Sequence, residues 1–242
     1  MNVRWVEKED LFPTVVARLA SVEVVLDIGC GIMPQPYVRP SVHICCEPFD
    51  QYVEHLQSKI KNELDRTYVV LNATWEEAVR FFPSKSVDTV FLVDVVEHLE
   101  KAESLRLLKA TEEIARRQVA VFTPLGFLPQ CHPDGKDAWG LDGGRWQEHK
   151  SGWVPEDFDG SWEIYASKEF HAADNVGKAF DTPFGALWAV KSFDETGEDR
   201  KILRRKENIR RMRSLVIDLQ NDLAKRFRFL KNLFRRADEG GK

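Results

Sequence analysis

The chain has 242 residues, 43% of them apolar, and a formal net charge of −4. These totals describe a packed globule large enough for one full domain and an appendage, and they exclude a disordered chain. No apolar run approaches the roughly 20 residues that span a bilayer, and the four cysteines (30, 45, 46 and 131) have no metal-ligand spacing, so a reduced, cytoplasmic protein is expected.

Residues 9–20 read as a short leading helix. "VEVVLDI" (22–28) is β-branched, almost uncharged and ended by glycine, the pattern of a buried strand. "VHICCEP" (42–48) is a second strand. "QYVEHLQSKIKN" (51–62) has helical spacing through Val53, Leu56 and Ile60. Then come the strand "TYVVLNA" (67–73), the helix "WEEAVRFF" (75–82), the strand "SVDTVFLVD" (86–94), a helix over 101–116 and the strand "QVAVFTP" (118–124). From 125 to 158 Gly, Pro, Trp and His replace any sustained period. Two strands follow, "SWEIYAS" (161–167) and "GALWAVKSF" (185–193). Alternating strands and helices predict an α/β, Rossmann-like fold: a seven-stranded, mostly parallel sheet with helices on both faces.

Charge divides the chain. Residues 1–199 carry 20 Lys and Arg against 34 Asp and Glu, whereas 200–236 carry 14 against 3. Two domains are therefore expected, residues 1–198 and a long basic amphipathic helix over 199–242. In that helix apolar residues recur at 209, 212, 216, 219, 223, 227, 230 and 234, the seam of a coiled coil or one buried stripe. Homo-oligomerisation through 200–236 is the first reading. Contact with an anionic membrane surface is the second, because Phe and Leu alternate with Arg and Lys at its far end. Nucleic acid is not expected, since no recognisable nucleic-acid module accompanies the arginines.

The first strand ends at Asp27, and Gly29 and Gly31 follow, allowing a tight turn and close backbone approach. Glu47 ends the second strand 20 residues later, where a carboxylate reaches a ribose hydroxyl pair. A dinucleotide would also want a third glycine and a clean helix N-terminus for its pyrophosphate. Met33, Pro34 and Pro36 stand there instead, which suits a nucleoside ligand without phosphates.

In order, "VLDIGCG", "EP", "LNATWEE", "VDTVFLVDVVEHL" and "VFTPLGF" resemble the class I S-adenosylmethionine-dependent methyltransferases over residues 20–193. "DIGCGIMPQ" with a later "HKSGW" is similar to bacterial methyltransferases of glycan and natural-product pathways. The resemblance implies S-adenosylmethionine as cofactor. Asp27 would orient its methionine amino end, with Gly29, Cys30 and Gly31 as backbone cradle and Gln35 beside the turn. Glu47, next to Pro48, would hold the ribose. Asn72, next to Ala73, would meet the adenine amine where the family often has aspartate. Asp94 and Val95 would lie beside the cofactor.

Methyl transfer to a hydroxyl gains from a base, and histidine suits that work near neutral pH. His149 in the irregular segment is the first candidate, followed by His132 and His98. Gln130, Trp146 and Trp153 are expected to contact the acceptor, because aromatic faces beside polar groups suit sugar rings. No metal is expected, and Asp134, Asp137 and Asp142 read as solvated carboxylates. The expected activity is O-methylation of a saccharide or related hydroxylated metabolite. N-methylation of a small amine or amino sugar, and an inactive scaffold acting through the basic helix, remain as alternatives.

Overall fold

The structure, a computed structural model, describes residues 3–174 and 177–193. The basic helix expected over 199–242, with its oligomer and membrane readings, lies outside the described residues.

Eight strands form one sheet: β1 (Val3–Trp5), β2 (Val24–Ile28), β3 (Val42–Glu47), β4 (Thr67–Asn72), β5 (Val87–Val93), β6 (Ala115–Leu125), β7 (Glu163–Ala173) and β8 (Ala179–Ser192), in the order β1-β7-β8-β6-β5-β2-β3-β4. Seven strands were expected. The eighth is "VRW", which pairs in parallel with β7 at the sheet edge and is too short to show a period of its own. Strands β2 to β6 pair in parallel, while β8 runs antiparallel to both β6 and β7.

Among the described residues four α-helices cover the sheet: α1 (Lys8–Val16), α2 (Asp50–Ile60), α3 (Trp75–Arg80) and α4 (Lys101–Ile114). Residues of β2 alternate between the two faces, as a strand with helices on both sides requires. Val25 packs with Leu11 and Val15 of α1, and Leu26 and Ile28 pack with Ala78 of α3 and Leu107 and Leu108 of α4. A capping box starts α3: Glu77 accepts from the Thr74 backbone N–H (2.9 Å), and Thr74 Oγ1 accepts from the Glu77 N–H (3.4 Å). Around Phe12 of α1, Tyr37, Phe122, Phe170 and Trp188 form an aromatic cluster with centroids 5.0–5.8 Å away.

The chain leaves β2 toward β3 and β4 on one side, then returns to place β5 on the other. This reversal opens a crevice beyond the C-terminal ends of β2 and β5, where open α/β sheets bind ligands.

Candidate functional site

Two cavities meet in this crevice. The larger, of about 670 Å³, is lined by the turn after β2, the end of β5, the segment 124–149 and the β7–β8 hairpin. The smaller, of about 260 Å³, lies between Glu47, Pro48, Ala73, Trp75, Val95 and Leu99. Gly29, Gly31, Asp94, His98 and Gln147 line both.

The turn after β2 takes its shape from its glycines. Gly29 has φ +67°, and a Cβ there would come within 2.7 Å of Val95 Cγ2; Gly31 has φ +58°. The Gly29 and Cys30 N–H groups donate to the Cys46 carbonyl at 2.8 and 3.3 Å, tying the turn to β3. Glu47 closes it from the other side: Oε2 accepts from the Gly31 N–H (2.9 Å) and Oε1 from the Phe49 N–H (3.0 Å). Burial pushes the Glu47 carboxyl up to about 7, against these two hydrogen bonds.

Asp27 is buried at the floor of the larger cavity, where Oδ2 accepts from the Gln35 N–H (2.8 Å) and from His43 Nε2 (3.1 Å). Gln35 lines the same cavity, but its side chain is spent on its own loop. Oε1 accepts from the Tyr37 and Val38 N–H groups, and Nε2 donates to the Val38 carbonyl. It therefore shapes the proline-rich crossover, with its amide oxygen and one amide hydrogen engaged within its own loop.

Asn72 ends β4 outside both cavities. Its amide donates to Asp50 (2.6 Å), and its neighbours Ala73 and Thr74 take the place on the cavity wall expected for Asn72.

At the end of β5 the backbone turns through Asp94, which has φ +52°, a conformation aspartate tolerates better than most residues. A 3-10 turn over Val96–His98 follows. Glu97 is 2% exposed; Oε2 accepts from Thr123 Oγ1 (3.0 Å), and the carboxyl lies against that of Asp94, with which it can share a proton. Burial raises the Glu97 carboxyl well above its ordinary range, and neighbouring Asp94 raises it further. Asp94 faces the water of the cavity, yet the protein packed around it lifts its carboxyl to about 6.

The segment 125–158 is tied back to this turn. The Lys150 and Ser151 N–H groups donate to the Glu97 carbonyl at 2.7 and 3.1 Å, and Ser151 Oγ donates to the Val96 carbonyl (3.0 Å). His98 Nδ1 donates to the Glu148 carbonyl (3.2 Å), and His149 Nδ1 donates to the Leu128 carbonyl (2.6 Å). Both rings are therefore the Nδ1–H tautomer with a lone pair on Nε2. Their centroids are 4.9 Å apart. One donor atom from each of Glu97, His98 and His149 lies within 4.8 Å of the others, a set of ligand types able to hold a cation. Burial lowers the His98 pKa to about 3 and lowers that of His149 too, so both rings are neutral near pH 7 and His98 is a weak base.

His132 also lines the larger cavity, with Nδ1 donating to the Lys136 carbonyl (2.7 Å). Gln130 lies there as well, its amide donating to the Gln147 carbonyl (2.7 Å). Two expected acceptor contacts lie elsewhere. Trp153 is fully buried in the main core, bridged in backbone to Leu125 and Gly126, with Lys101 Nζ 3.6 Å from its ring centroid. It packs, and has no face for a sugar. Trp146 lines the smaller cavity, 6.5 Å from Phe49 between centroids, on the side of Glu47.

Sequence reasoning passed over Tyr37, Glu97, Trp139, His171 and Phe180, which all line the larger cavity. Glu97 stood inside the quoted "DVVEHL", and the repeated carboxylate before histidine was the available signal. His171 and Phe180 had none, because β7 and β8 overrun their expected ends by several residues.

No protein-family model matches this sequence, and no curated protein does. Solved structures do. TehB from Haemophilus influenzae matches with TM-score 0.52 and 14% identity over 74% of this chain and 61% of that one. Magnesium protoporphyrin IX methyltransferase (ChlM) from Synechocystis PCC 6803, with bound SAM, matches with TM-score 0.46 and 15% identity over 75% and 78%. A SAM-dependent methyltransferase from Archaeoglobus fulgidus matches with TM-score 0.46 and 15% identity over 75% and 94%. The likeness to TehB, whose TM-score exceeds 0.5, agrees with the α/β, Rossmann-like fold described above.

Proposed function

We propose that this chain transfers a methyl group from S-adenosylmethionine to a hydroxyl of a saccharide or related hydroxylated metabolite. The observation that carries the reading is the pair of joined cavities. One is shaped for a nucleoside, the other is lined by histidines, and the two meet at Gly29, Gly31 and Asp94.

The residues present fit the cofactor. Glu47 holds its two oxygens on backbone N–H groups and keeps lone pairs for a ribose diol. Trp75, Val95 and Leu99 give apolar walls for a flat base, and Ala73 and Trp146 complete that side. The bare backbone at Gly29 and Gly31 allows close approach, and Asp27 offers a carboxylate to an amino group. When bound, S-adenosylmethionine supplies an electrophilic methyl on a cationic sulfur.

The chain's own part is alignment and proton removal. His149 Nε2 accepts the hydroxyl hydrogen, because its other nitrogen is held by the Leu128 carbonyl. His132 and Gln130 stand on the same wall for further acceptor groups. Residues 1–198 form the catalytic domain in this reading, and 199–242 serve self-association, with an anionic membrane surface as the other use of the same charges.

The test is calorimetric titration with S-adenosylhomocysteine, with NAD as control. Micromolar binding of the first and none of the second is expected. Absence of both would move an inactive scaffold to the front. With the cofactor established, His149→Ala separates acceptor classes: turnover on a hydroxyl collapses, whereas an amine, which brings its own lone pair, is barely slowed.

A further inference from the structure

The structure assigns a divalent-cation site to Glu97, His98 and His149, on the wall of the larger cavity, selective for a first-row transition metal. Three observations converge. Both imidazoles are oriented by a backbone carbonyl on Nδ1, from Glu148 for His98 and from Leu128 for His149, the arrangement that presents Nε2 to a metal. Glu97 is 2% exposed, with Oε2 bound to Thr123, and its carboxyl otherwise meets that of Asp94, to which it can bond only through a shared proton. Two carboxyls packed together away from water call for a proton or a cation between them, and an ion held by Glu97 and the two imidazoles answers that demand.

The donor atoms of the three residues lie within 4.8 Å of one another. Ligands about 2.1 Å from a shared ion stand up to about 4.2 Å apart, so side-chain rotations of a few tenths of an ångström close the set. Two imidazoles and one carboxylate favour Mn²⁺, Co²⁺ or Zn²⁺ over Mg²⁺ and Ca²⁺, which prefer oxygen alone. Three protein ligands leave coordination positions open, and all three residues line the cavity assigned to the acceptor. The class of ligand that fills those positions is an oxygen donor, a hydroxyl or a diol, and this consequence rests on the methyltransferase reading. Cation binding itself does not. An ion that takes the His149 Nε2 lone pair replaces that nitrogen as the group that acidifies the hydroxyl, so the two roles of His149 are exclusive. The expectation that no metal takes part gives way to this site, and the loop aspartates 134, 137 and 142 have no share in it.

The test uses the full chain, stripped with a chelator and titrated with Co²⁺ alone, followed by its visible d–d absorption, with Mg²⁺ as control. One Co²⁺ per chain is expected, with little response to Mg²⁺. His149→Ala and Glu97→Gln should each weaken Co²⁺ by at least about tenfold, while the exposed-surface variant His55→Ala should not. Should Glu97→Gln fail to fold, His149→Ala and His98→Asn carry the test. No Co²⁺ binding, or equal binding in wild type and cluster variants, overturns the site. S-adenosylhomocysteine titrated into the same samples keeps the two ideas apart. Cofactor without Co²⁺ overturns the cation site alone, and Co²⁺ without cofactor overturns the methyltransferase reading alone.

Discussion

The turn after β2 and the segment 125–158 both bring polar groups to the crevice, but they are assembled differently. The turn uses neighbours: Asp27, Gly29, Gly31 and Gln35 fall within nine residues, and Glu47 reaches them from the adjacent strand of a regular parallel pair. The covering segment uses distant partners. His149 sits against His98, 51 positions earlier in the chain; its N–H donates to the Gln130 carbonyl, the Lys150 and Ser151 N–H groups donate to the Glu97 carbonyl, and the Ser151 hydroxyl donates to the Val96 carbonyl. A cradle made from contiguous residues is set by local backbone conformation. A wall made from distant ones depends on the packing of the whole domain.

Substitutions can break this contrast, and the largest effect is expected in the covering segment. His149→Ala should lower turnover on a hydroxyl acceptor by about 100- to 10,000-fold and leave S-adenosylhomocysteine affinity unchanged; steady-state kinetics beside calorimetry reads both. Trp153→Ala should cost about 3–5 kcal/mol of stability in denaturant unfolding, since the ring is fully buried and Lys101 lies over it. If Trp153 were a stacking platform instead, stability would hold and acceptor KM alone would rise.

In the turn, Glu47→Ala should weaken S-adenosylhomocysteine on the order of a hundredfold, the loss of two hydrogen bonds to a charged group, with little change in the unfolding midpoint of the covering segment as seen by hydrogen exchange. Unchanged affinity would remove the ribose assignment.

The smallest effects are in pH, and they sharpen the comparison because their signs oppose. Glu47 has its pKa raised to about 7 in the folded chain. Its stabilising contribution is complete below the ordinary carboxylate pKa near 4.5 and is lost as pH rises to about 7. His171, in the lining of the larger cavity, is pushed down to about 4 by burial. Its neutral form costs nothing above about 6.5, and stability is lost as pH falls from there toward 4. Denaturant midpoints of Glu47→Gln and His171→Phe against pH should each lose one limb. S-adenosylhomocysteine affinity should also rise as pH passes upward through about 7, because a ribose diol prefers the carboxylate form of Glu47.

The same contrast explains what the sequence made legible. The strands from β2 to β6 and their helices follow from apolar periods and glycine stops, and the crevice follows from their alternation. Gly29, Gly31 and Glu47 were readable because turn chemistry and strand register are local. Strand β1 was missed because three residues carry no period, and the added length of β7 and β8 is held by the cross-strand pairs His171–Phe184 and Ala173–Ala179, with register shifts that break the alternation. Trp146 and Trp153 were read together because both stand in the same aperiodic stretch. Only packing distinguishes a tryptophan on the cavity wall from one sealed in the core. Asn72 leaves the cavity wall to Ala73 and Thr74 for a similar reason: its amide is bonded to Asp50.

The seam that joins Lys150 and Ser151 to Glu97, with Ser151 Oγ on Val96, also governs traffic. A wall sewn to the strand end along its backbone is no doorway, and the parts of the larger cavity's lining most open to solvent lie elsewhere. There Met33 is 63% exposed and Trp139, 49% exposed, lies 3.8 Å from the position of a Gly31 Cβ. Under the proposed reading, a bulky acceptor would lay its reactive end inside and leave its remainder in solvent across that threshold, so acceptor length should be tolerated where shape at its tip is not.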